Sequence, residues 1–129
     1  MNEPKKYLIR VVEGSLRDST AIARFSPKTI ETFPDDPDWN SLLQITVTID
    51  EVREIQENMT RHHHDPTPWY LDGFEVDDRE KIICAFGADD GEGGRIFLFD
   101  RDDAQAFDEV LAYALSKGIP EEQMNFLQK

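Results

Sequence analysis

His62-His63-His64-Asp65 is the densest run of metal-ligating side chains in this chain. On a helix, consecutive residues point about 100° apart, so three in a row cannot converge on one ion. In an extended segment His62 and His64 share a side and Asp65 can join them, a donor set suited to zinc or nickel. There is no His-Glu-x-x-His arrangement and no second cysteine beside Cys84. His62 or His63 also continues the apolar stripe Val52, Ile55, Met59, where a cation suits the negative end of a helix. The structural role is preferred, and a metal or small-ligand site at His62, His64, Asp65 and nearby carboxylates is the rival.

The next chemically suggestive run is Ala88-Asp89-Asp90-Gly91-Glu92-Gly93-Gly94. Counted from Asp89, Gly94, Ile96 and Asp100 fall where a calcium loop has its glycine, its apolar residue and its last ligand. The third and fifth positions are Gly91 and Gly93, which offer no side-chain oxygen. Phosphate cradling fails too: no Gly-Lys-Ser/Thr follows, and Asp89, Asp90 and Glu92 repel an anion. A hairpin connection is the simpler role. For hydrolysis there is no Gly-x-Ser-x-Gly elbow, and Cys84 sits in the apolar run Ile82-Ile83-Cys84-Ala85-Phe86. Paired carboxylates such as Asp77-Asp78 and Asp102-Asp103 are common by chance in so acidic a chain. Neither an enzyme nor a cofactor is expected.

The charge is uneven. Of the 129 residues, 27 are acidic and 14 are Lys or Arg, a net of −13. Residues 65–129 hold 16 acids against 6 bases (net −10), and residues 1–64 hold 11 against 8 (net −3). Such a balance excludes nucleic acid and anionic membranes, whose phosphates need clustered cations. It favours a basic protein partner or serves solubility. No apolar stretch approaches the ~20 residues of a membrane helix. Residues 1–6 carry no signal-peptide core, and the lone cysteine reads as a small buried hydrophobe, so a cytoplasmic location is expected.

The elements that must position these residues follow from periodicity. Residues 6–12 alternate around Tyr7, Ile9 and Val11 as a first strand, and 20–25 make a hairpin partner stopped by Pro27. Residues 28–40, with two prolines and four acids, read as a long loop. A strand over 42–47 leads into Thr48-Ile49-Asp50-Glu51, a capping box opening a short helix over residues 49–61. Strands follow at 69–76, 81–87 and 95–99. Asp100 then caps a helix whose stripe is Ala104, Phe107, Leu111, Ala114 and Leu115, with Gly118 at its exit. Pro120 opens a short terminal helix over about 120–127.

This order predicts an α+β fold: one domain over 1–129, a mainly antiparallel sheet of about six strands in βββα-βββα order, and helices on one face. Residues 82–86 and 96–99 are apolar on both faces and need cover on each side. The second face is left to the 28–40 loop, to curvature, or to a second subunit in a homodimer. The function expected is a small binding or regulatory module, of inhibitor or immunity type. Its contact residues for a basic protein are Asp72, Asp77, Asp78, Asp89, Asp90 and Glu92. A housekeeping domain whose charge only keeps it soluble is the remaining alternative.

Overall fold

Tyr7, Ile9 and Val11 alternate with Leu8 and Arg10, and strand β1 (Lys6–Val12) buries the first three. The structure is a computed structural model that describes residues 5–13, 16, 18–32, 34–35, 41–59, 69–88 and 93–119. The other strands are β2 (Lys28–Thr32), β3 (Ser41–Thr48), β4 (Tyr70–Glu75), β5 (Asp78–Phe86) and β6 (Ile96–Asp100). Helix α1 (Ile49–Asn58) follows β3, and helix α2 (Ala104–Ser116) follows β6. The strands form one antiparallel sheet in the order β2-β3-β1-β4-β5-β6, so the chain is an α+β protein. β1 is antiparallel to both β3 and β4, which therefore run parallel on either side of it. The connection β3-α1-β4 is thus a split β-α-β crossover.

The second strand is not where periodicity placed it. Residues Ser19–Phe25 form a 3-10 helix, capped by Asp18, whose carboxylate accepts from the Thr20 N–H at 3.0 Å. Ile22 is buried and Phe25 half-buried, a spacing of three that suits this helix rather than a strand. Ser26 ends it at φ 53°, in the left-handed region. The strand comes next, at Lys28–Thr32, inside the expected loop. All five of its residues are exposed, so it lacks the apolar alternation that marks a strand in sequence.

The helices do not share a face. Along β5, Ile83 and Ala85 point into a core with Val52, Ile55 and Met59 of the α1 segment. Ile82, Cys84 and Phe86 point the other way, into a core with Val110, Tyr113 and Ala114 of α2. The helices therefore cover opposite faces and not one, because residues 82–86 are apolar on both sides and each face of β5 takes one helix. Phe86 anchors the second core, with Tyr113 and Phe97 edge-on at ring-centroid distances of 4.8 and 6.1 Å.

Local signals explain the helix starts. At α1 both capping-box bonds form: Glu51 N–H donates to Thr48 Oγ1 at 3.3 Å, and Thr48 N–H donates to Glu51 Oε1 at 2.8 Å. Met59 closes this helix. At α2 the cap is Asp103, which accepts from the Ala106 N–H at 3.1 Å. Asp100 is instead the last residue of β6, held to β5 by an ion pair with Lys81. Gln56, buried in α1, donates to the Phe86 carbonyl at 2.8 Å and ties the helix to the end of β5. There the chain passes so close that a Cβ on Gly87 would lie 2.1 Å from the Met59 carbonyl oxygen. The terminal helix expected over 120–127 lies outside the described residues.

Candidate functional site: the acidic end of the sheet

The β4–β5 turn and the β6–α2 junction meet at the same end of the sheet, because Lys81 near the start of β5 registers with Asp100 at the end of β6. The turn is pinned by Val76, whose N–H donates to the Lys6 carbonyl at 2.8 Å. It presents Asp77 and Asp78, both exposed; one Asp78 carboxylate oxygen accepts from the Glu80 N–H at 3.0 Å. Across β6 the junction presents Asp102 and Asp103, also exposed. The backbone joins the two: Arg101 N–H donates to the Glu80 carbonyl at 2.7 Å.

Three of the cations here, Lys5, Lys81 and Arg101, are in ion pairs. Lys81 pairs with Asp100, and Arg101 with Glu80 at 3.7 Å. Arg101 also donates to the Arg79 carbonyl at 3.1 Å. The Arg79 guanidinium lies 5.3 Å from the centroid of the Phe74 ring, and Lys5 reaches Glu75 at 3.9 Å. Asp77, Asp78, Asp102 and Asp103 make no ion pair among the described residues. The Lys81 ammonium registers the resulting field. Its pKa is raised first by the hydrogen bond to Asp100, then by the charge of Asp100, with Asp78 and Glu75 adding. A patch of four exposed carboxylates that make no ion pair among the described residues attracts cationic surfaces and repels phosphate.

Asp72 stands apart from this patch. It lies mid-strand in β4 on the face that also bears Cys84, directly opposite Arg10 of β1. The two form an ion pair between Arg10 Nη2 and Asp72 Oδ2, with side chains only 20% and 13% exposed. Burial first, and then the charge of Asp72, push the Cys84 thiol well above its ordinary pKa. A thiol so placed stays protonated, the opposite of an activated nucleophile. Burial and Asp72 likewise raise the neighbouring Tyr70 hydroxyl. The Arg10–Asp72 pair left no mark in the sequence, since 62 positions separate its members.

The remaining expected site residues fall elsewhere. The chain leaves Ala88 and returns at Gly93 at the far end of β5 from Asp77 and Asp78, so the described strands do not join the turn to that loop. Asp89, Asp90 and Glu92 lie outside the described residues, as do His62, His64 and Asp65. Among the described residues no three His, Cys, Asp or Glu side chains are grouped to hold a metal ion. No helix among them is long and apolar enough to cross a membrane. No protein-family model, curated protein or solved structure matches this chain.

Proposed function

We propose that this chain is a small protein-binding or regulatory module, of inhibitor or immunity type, that engages a basic protein partner through the acidic end of its sheet. The observation that carries the reading is the set of exposed carboxylates Asp77, Asp78, Asp102 and Asp103, with the nearby Lys81 and Arg101 already paired to Asp100 and Glu80. Such a surface steers a cationic partner and raises association rates by about 10–10³-fold at low salt. A buried, protonated Cys84 is at home in a reducing cytoplasm, where the module would work.

The test compares two variants with equal change in net charge. Asp77→Lys with Asp102→Lys reverses the acidic end; Glu31→Lys with Asp35→Lys reverses exposed acids on or near edge strand β2. A basic protein captured from the host extract serves as the probe, with association followed at low and physiological salt. The first variant is expected to slow association by about tenfold or more at low salt, the second far less. Equal behaviour of the two variants, or association indifferent to salt, would leave solubility as the role of the charge.

A further inference from the structure

We propose that β6 is a self-pairing edge through which two copies of this chain join their sheets antiparallel. β6 is the last strand of the sheet. Arg95 accepts at its carbonyl from the Phe86 N–H, and Arg101 N–H donates to the Glu80 carbonyl, so these two residues turn their backbone groups towards β5. The antiparallel ladder alternates, so Phe97 and Phe99 do the same, whereas Ile96, Leu98 and Asp100 turn theirs outward. The outward carbonyl of Asp100 accepts from the Asp103 N–H. Ile96 and Leu98 keep outward N–H and C=O groups with no partner among the described residues.

The other edge is treated differently. β2 begins with Lys28, and its register against β3 shifts between Thr29 and Glu31, a bulge at Ile30. A bulge and an edge lysine are the common devices that blunt a strand against further pairing. β6 has neither, and its register with β5 is regular from Asp100 to Ile96. At its centre Leu98 is 55% exposed, on the same face as half-buried Ile96.

A second copy fits this edge because the edge is complementary to itself. Placing Ile96 against the partner's Leu98, and the reverse, lets each pair exchange two backbone hydrogen bonds and joins four aliphatic side chains into one strip. Charge agrees. Glu80 and Asp100 beside the edge are neutralised by Arg101 and Lys81. The interface is short and below the standard size, so the dimer is concentration-dependent. Each copy carries −13, and screening that long-range repulsion strengthens association, the opposite of the salt effect on a basic partner.

Sedimentation of the full chain over a wide concentration range, at low and high salt, tests the proposal. Wild type is expected to dimerise, more tightly at high salt. Leu98→Lys is expected to weaken the dimer at least about tenfold, and Ile30→Lys on the blunted edge to leave it unchanged. A wild type that stays monomeric throughout, or Leu98→Lys dimerising like wild type, overturns the proposal. Should Leu98→Lys fail to fold, amide exchange on wild type decides: slowing of Ile96 and Leu98 with concentration supports the dimer. Absence of such slowing, or slowing only when another protein supplies the added strand, overturns it.

Discussion

Arg10 and Asp72 are partners across the centre of the sheet, and their environment sets what each substitution does. With side chains 20% and 13% exposed, neither charge is fully hydrated. Asp72→Ala leaves the guanidinium without its carboxylate and is expected to lower stability by about 2–3 kcal/mol in urea unfolding. Arg10→Met combined with Asp72→Leu should cost less than the sum of the single changes, because no lone charge remains. The thiol beside them gives a pH prediction. Cys84 is held protonated in the fold, so above about pH 9, its ordinary range, the unfolded chain ionises while the folded chain does not. Stability is therefore fully present below that range and falls as pH rises above it. Urea midpoints at neutral and alkaline pH should show the fall, and Cys84→Ala should reduce it. Thr48 and Glu51 were legible in the sequence because capping is local; Arg10–Asp72 was not, because its partners meet only after three strands align.

At the scale of elements, α2 shows where periodicity sufficed and where it slipped. The helix and the glycine after it follow from the sequence, whereas the cap is Asp103 and not Asp100; Gly118 adopts φ 91°. The buried stripe is instead Val110, Tyr113 and Ala114, with Phe107 and Leu111 half-buried on its flanks and Leu115 exposed. Helix α2 is amphipathic with apolar residues on more than half a turn, so sequence alone left the rotation of its stripe open by about one position. Val110→Ala should cost about 1–3 kcal/mol, and Leu115→Gln should stay within about 0.5 kcal/mol; thermal unfolding of the pair reads the rotation directly. A loss at Leu115→Gln larger than that at Val110→Ala would mean that Leu115, not Val110, faces the sheet. Gly118→Ala is expected to cost about 1 kcal/mol, since a Cβ is unfavourable at that φ. β2 escaped sequence reading for the opposite reason: a wholly exposed edge strand has no buried face to leave an apolar pattern.

Across the whole molecule, the antiparallel pairing of 82–86 with 96–99 was legible from two apolar runs and a glycine-rich connection. The acidic end was half legible. The sequence showed where acid is concentrated; strand register decided that Asp77 and Asp102 share an end while Asp72 does not. The crossover through α1 was not legible, because nothing local says that β4 will pair with β1 rather than with β3. That crossover has a consequence for assembly during synthesis. β1 is made first yet sits between β3 and β4, and its second neighbour begins only at Tyr70. Until that residue leaves the ribosome, the strand bearing Tyr7, Ile9 and Val11 keeps one bare edge, and Arg10 waits for the carboxylate of Asp72. A fragment of residues 1–68 should therefore aggregate or bind chaperone where the full chain folds. In pulse-labelled refolding the β1 amides turned towards β4, those of Leu8 and Arg10, should be protected only together with β4. The first-made strand of the sheet is in this sense the one whose second edge is completed late, and release of the chain before β4 is made is the hazard built into its topology.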